Sequence, residues 1–120
     1  MADNIIKTKS FNFALRIIKL FQFLKDDKKE YVLSKQLLRS GTAIGALIRE
    51  SEQAESKKDF IHKLAIAQKE ANETDYWLEL LFQSNYLNEI QFQSVKSDIV
   101  EINKILASII ITSKQKLSTT

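Results

Sequence analysis

Between Phe60 and Leu81, the residues Phe60, Leu64, Ala67, Ala71, Thr74, Leu78 and Leu81 recur in an unbroken 4-3-4-3 spacing, which is the core seam of a helix packed in a bundle. At about 100° per residue, Ile66, Tyr76, Trp77 and Leu80 fall well away from that seam and form a second apolar face. The first amphipathic segment is broader still. Phe11, Phe13, Ala14, Leu15, Ile17, Ile18, Leu20, Phe21 and Leu24 leave only a polar strip at Asn12, Arg16 and Lys19. A helix apolar over so much of its circumference is covered on more than one side. Either the bundle has a thick core with a few exposed hydrophobes, or copies of the chain cover one another. The second reading is preferred, and it makes Ile66, Tyr76, Trp77 and Leu80 a homo-oligomer interface.

Four helical segments follow from the pattern and its caps, at about residues 10–25, 31–53, 57–84 and 89–114. Ser10 reads as the first N-cap, and the charged turn Asp26-Asp27-Lys28-Lys29 ends that helix. Ser56-Lys57-Lys58-Asp59 has the form of a capping box before the third, and Asn88 with Gln91 opens the fourth. No linker, repeat or low-complexity tract divides residues 1–120. Short connections between helices of similar length imply antiparallel neighbours, so the expected fold is all-α, one domain, an antiparallel up-down-up-down four-helix bundle.

Composition agrees. The chain has no proline and two glycines, too little turn material for an all-β domain. Its lack of cysteine removes disulfides, thiolate chemistry and Cys-rich zinc sites, and fits a reducing compartment. Met1-Ala2-Asp3-Asn4-Ile5-Ile6-Lys7 lacks the features of a secretory signal, and no long apolar run escapes interruption by charge. A cytoplasmic protein without a membrane span is therefore expected. The formal charge of +3 permits contact with nucleic acid or acidic partners without demanding either.

The two glycines, Gly41 and Gly45, lie four apart on one helical face, where each costs about 1 kcal/mol relative to alanine. Close approach of another helix would offset that cost. If the second and third helices form a hairpin turning near Ala54 and Glu55, Gly45 falls near Ala65, Ala43 near Ala67 and Gly41 near Lys69. The expected packing sets Gly41 and Gly45 against the alanines of the third helix, Ala67 and Ala71 among them. By the same count Arg39 falls opposite Ala71, within a turn of Glu70 and Glu73, so an interhelical ion pair is expected there. Whether that pair is partly buried or an ordinary surface pair stays open.

The segments Gln36-Leu37-Leu38-Arg39-Ser40-Gly41-Thr42-Ala43-Ile44-Gly45, Asp59-Phe60-Ile61-His62-Lys63-Leu64, Lys69-Glu70-Ala71 and Glu73-Thr74-Asp75-Tyr76-Trp77-Leu78, with Ile48, Glu50 and Ala67, resemble the signature of the 23S rRNA intervening-sequence family of four-helix-bundle proteins. That bacterial family is similar to the accessory proteins of diversity-generating retroelements. The resemblance implies a ring-shaped homopentamer that associates with nucleic acid and with a protein partner such as a reverse transcriptase. Family members commonly carry serine at the position of Ala43 and asparagine at that of Leu47, so a polar contact made there by relatives is missing here.

Catalytic signals are few. His62, the lone histidine, forms Asp-x-x-His with Asp59, but a di-iron bundle site needs a second histidine and carboxylates from other helices. The glycine spacing is not that of a P-loop, and no histidine remains for a nucleophilic triad. No enzyme activity, metal or cofactor is expected. Lys57 and Lys58 open the third helix, where cations oppose its dipole; Lys69 shares the outer face with Lys58, while Arg16 and Lys19 line the strip on the first helix. These five residues are the expected nucleic-acid contacts, without base reading. The alternative is a protein-interaction scaffold whose charge is incidental.

Overall fold

The computed structural model describes residues 2–119, with side chains from Ile5 onward. Its elements are α1 (Ala2–Asp26), α2 (Leu33–Ser51), α3 (Lys57–Gln83) and α4 (Glu89–Ser118), and the described residues include no strand. The helices lie along the long axis of a 52 × 22 × 20 Å rod. Each packs on its neighbour in sequence, and α1 closes the ring against α4. Contacts across every seam run in opposite numerical directions: Lys7–Glu52 and Ile17–Gly41 join α1 to α2, Arg39–Glu73 and Glu50–Lys63 join α2 to α3. Asn72–Asn103 and Phe82–Phe92 do the same for α3 and α4, and Lys9–Glu101 with Arg16–Asp98 for α1 and α4. Neighbouring helices are therefore antiparallel.

The α3 seam falls where its spacing predicts. Leu64, Ala67, Ala71, Thr74, Leu78 and Leu81 are buried and Phe60 is half-buried, facing Phe13, Ile17, Leu37, Ile44, Ile99 and Leu106 in one core. Thr74 brings a hydroxyl into it, hydrogen-bonded at 2.9 Å to the equally buried Ser40 of α2. The Thr74 hydroxyl also lies 2.8 Å from the Glu70 carbonyl one turn back, so both buried hydroxyls have partners.

The N-caps of α3 and α4 form as read, but the box of α3 is only half made, because the Asp59 carboxylate accepts the Glu55 amide instead of that of Ser56. Ser56 Oγ accepts the Asp59 amide at 3.0 Å, and Asn88 and Gln91 exchange side-chain-to-backbone bonds in a full capping box. Helix α4 continues past the expected 114 to Ser118. The start of α1 differs more: the helix begins at Ala2, and Ser10 is an interior residue, buried, with its hydroxyl donating to the Lys7 carbonyl at 3.1 Å. A serine hydroxyl satisfies itself equally well at a cap or on the carbonyl one turn back, so residue type alone misplaced this boundary.

Helix α2 begins at Leu33 rather than near Tyr31, and Glu30, two residues before the N-cap Val32, satisfies its first amides. The carboxylate of Glu30 accepts the amides of Leu33 at 2.9 Å, Ser34 at 2.7 Å and Val32 at 3.2 Å, and the Ser34 hydroxyl donates to the Glu30 carbonyl at 2.8 Å. Burial of Glu30 acts to raise its pKa, but these bonds outweigh it and hold the carboxyl below its ordinary value. With no glycine in the connections, Lys29 (φ 55°) and Asn85 (φ 70°) take the left-handed conformation that turns the chain out of α1 and α3.

The glycine face is corrected. A Cβ at Gly41 would lie 2.9 Å from both Cγ atoms of Ile17, and one at Gly45 would lie 3.4 Å from the backbone oxygen and hydroxyl of Ser10. Both glycines thus allow a close approach of α2 to α1, not to the alanines of α3. The hairpin count fixes which residues are level with one another, but not which flank of α2 turns toward which neighbour. Ala67 and Ala71 are fully buried, and Ser40, one residue from Gly41, makes the hydrogen bond to α3.

Candidate nucleic-acid interface

Most seams of the bundle consume charge internally. Lys7 pairs with Glu52, Lys9 with Glu101, Lys63 with Glu50 and Lys96 with Asp75, each joining two helices. Arg16 belongs to this set. Its guanidinium binds the Asp98 carboxylate and donates to the Ser94 hydroxyl at 2.8 Å and carbonyl at 3.3 Å, fastening α1 to α4. The polar strip that sequence reading offered to a ligand is at this point a helix contact. Lys19 lies farther along the same strip, exposed, beside a shallow groove floored by Leu20, Phe23 and Val95.

The other expected cations are on α3. Lys57, Lys58 and Lys69 are exposed, and among the described residues none of them has an ion-pair partner. Lys58, His62, Lys69 and Tyr76 are separated by 4, 7 and 7 residues, spacings that return to the same helical face. All four are exposed, Tyr76 by 57%. At about 1.5 Å per residue the line spans roughly 27 Å along the outside of the bundle. Its ingredients are those of a backbone-tracking surface: cations for phosphates and an aromatic ring for stacking. Nothing on it is arranged to read base edges.

Beside this line the Arg39 pair forms as expected. Arg39 binds Glu70 at 3.2 Å and Glu73, and Glu73 also accepts the Trp77 indole N–H at 3.2 Å. Partial desolvation acts to lower the Arg39 pKa; the Glu70 and Glu73 carboxylates overcome it and raise the pKa further above its ordinary value. With half its side chain exposed, Arg39 makes a surface pair rather than a buried one.

The four residues expected at an oligomer interface divide. Tyr76 is exposed and packs edge-on to Trp77 at 5.2 Å, while Trp77 is half-buried against the core and tied to Glu73. Ile66 and Leu80 are half-buried. A more exposed apolar stripe lies on α1, where Phe11, Leu15 and Ile18 are 48%, 46% and 39% exposed at i, i+4 and i+7. Arg49 of α2 stacks over the Phe11 ring at 5.1 Å. The broad apolar coverage of the first segment signalled this stripe, but only the packing shows which of its residues the core leaves outside.

For metal chemistry the geometry offers little: His62 is exposed and Asp59 accepts the Glu55 amide at 3.2 Å in the turn before α3. Among the described residues no group of three or more metal-ligating side chains comes together. No helix among them is long and apolar enough to cross a membrane.

No curated protein matches the chain. A crystal structure of a protein of unknown function of the S23 ribosomal protein family from Bacteroides thetaiotaomicron is 59% identical, with 92% of this chain and 98% of that one covered and a TM-score of 0.91. Residues 2–108 match the family described as 23S rRNA-intervening sequence protein. The chain therefore belongs to the 23S rRNA-intervening sequence protein family.

Proposed function

We propose that the chain is a non-catalytic accessory protein that assembles as a ring of identical copies and binds nucleic acid or ribonucleoprotein through the outer face of α3, largely without regard to sequence. The observation that carries this reading is the unpaired line of Lys58, His62, Lys69 and Tyr76, which contrasts with the neutralised cations of the helix seams. Lys57 and Lys19 are further exposed cations outside that line, and Arg16 serves the fold. The exposed stripe of Phe11, Leu15 and Ile18 supports assembly, because burying it against another copy removes apolar surface from water. Repetition around a ring multiplies a modest patch into a field strong enough to hold a phosphate backbone.

Titration of a labelled RNA or DNA duplex tests the reading. Binding is expected to weaken steeply between about 50 and 200 mM salt, and Lys58→Ser with Lys69→Ser to weaken it and flatten the salt dependence. Absence of binding at low salt would sink it. Light scattering is expected to give a mass several times the 13.8 kDa of one chain, reduced to that value by Leu15→Lys with Ile18→Lys while helicity is retained. A wild-type monomer at micromolar concentration would remove the ring. The same apolar stripe also favours a second reading, a protein-interaction scaffold, which predicts no nucleic-acid binding at any salt.

A further inference from the structure

At the end of the bundle where α1 and α3 begin and α2 and α4 finish, the helices leave a cavity of about 570 Å³. Its apolar walls come from all four: Ile6 of α1, Ile48 of α2, Phe60 and Leu64 of α3, and Ile109 of α4. The connection that crosses this end carries the small residues Ala54 and Ser56, which leave the space unfilled. A hollow of this size falls within the roughly 300–1,000 Å³ usual for small-molecule sites. It is an end pocket rather than a groove along the rod, so it does not offer a bed for a helix about 10 Å across.

Among the described residues, the charged groups lining the pocket are Glu52, Lys57 and Lys116. The carboxylate, Glu52, is matched by Lys7 at 3.1 Å. Lys57 and Lys116 remain, both exposed and without an ion-pair partner among the described residues. Lys57 is also the first residue of α3, where first-turn amides lack intrahelical acceptors and the helix dipole is positive. Ser51 and Ser113 add hydroxyls to an otherwise apolar lining.

We infer that this cavity binds a small amphipathic anion, with an apolar chain or ring on Ile6, Ile48, Phe60, Leu64 and Ile109 and one carboxylate or phosphate within reach of Lys57 and Lys116. A neutral apolar molecule would leave the two cations unused, and an amphipathic cation would meet them as like charges. The site is separate from the outer face of α3 and does not depend on nucleic-acid binding.

Calorimetric titration of the full chain with decanoate, decyl phosphate, decanol and decylammonium tests the assignment, with amide NMR shifts locating the ligand. Decanoate or decyl phosphate is expected to bind once per chain and to shift residues around Leu64 and Ile109. Whichever of the two binds more tightly identifies the headgroup. Decanol is expected to bind about ten-fold more weakly, and Lys57→Glu with Lys116→Glu to cost the anion a similar factor, since each exposed cation contributes little alone. Ala54→Phe, which fills the space from the connection, is expected to abolish binding while leaving the circular dichroism unchanged. Equal affinity for all four ligands, shifts mapping elsewhere, or no binding of either anion at millimolar concentration would each overturn the assignment.

Discussion

Gly41 and Gly45 are indistinguishable to a propensity scale: both sit inside α2, and replacing either by alanine is worth about 1 kcal/mol in favour of the helix. Their surroundings separate them. A methyl at Gly45 arrives at 3.4 Å from Ser10, an ordinary contact, so Gly45→Ala is expected to stabilise the protein by about 0.5–1 kcal/mol. A methyl at Gly41 arrives at 2.9 Å from Cγ1 and Cγ2 of Ile17, a fully buried β-branched residue whose Cγ atoms cannot swing aside. Overpacking of that kind costs about 1–3 kcal/mol, which exceeds the propensity gain, so Gly41→Ala is expected to destabilise by roughly 1 kcal/mol. In thermal denaturation the two variants should move the melting temperature in opposite directions, by about 2–5 °C each. The cause is isolated by repeating Gly41→Ala in an Ile17→Ala background. There the clashing atoms are gone, and the substitution should stabilise by up to about 1 kcal/mol, a coupling that a double-mutant cycle reads directly. A Gly41→Ala protein that melts above the wild type, or a penalty that persists in the Ile17→Ala background, would refute the close approach of α2 to α1.

Glu30→Gln is expected to cost about 1–2 kcal/mol at neutral pH, because a carboxylate holding three amides at the start of α2 is replaced by a neutral acceptor. The folded pKa of Glu30 lies below its ordinary 4.5, so its contribution is complete above that pH and fades as the pH falls through the folded value. Urea denaturation should accordingly show the gap between wild type and variant narrowing on acidification, and a constant gap would count against the assignment. Arg39→Met is expected to cost less than about 1 kcal/mol, and less still in molar salt, since the guanidinium is half-exposed; a loss above about 2 kcal/mol would mark a buried pair instead. Thr74→Val is expected to cost about 0.5–1.5 kcal/mol by removing the hydroxyl that joins Ser40 of α2 to α3, and adding Ser40→Ala should cost little more in chemical denaturation.

What was legible in the sequence was whatever depends on neighbours along the chain. The 3-4 spacing of α3 identified its buried seam, Ser56 and Asn88 announced their helices, and the hairpin count placed Arg39 level with Glu70 and Glu73. These features need only helical periodicity and the reach of a side chain across one or two turns. The lateral arrangement needed the packed bundle. Rotation of α2 about its axis set Gly41 and Gly45 against α1 while Ser40 met α3, and residues so close in sequence carry no mark of that choice. Arg16 and Lys58 are both cations on polar strips, yet Arg16 faces Asp98 across a seam and Lys58 faces outward, because only the partner helix decides which charge is met. The end cavity is the extreme case, with walls drawn from Ile6, Ile48, Phe60, Leu64 and Ile109. A space bounded by four helices belongs to none of them and exists only once they are packed.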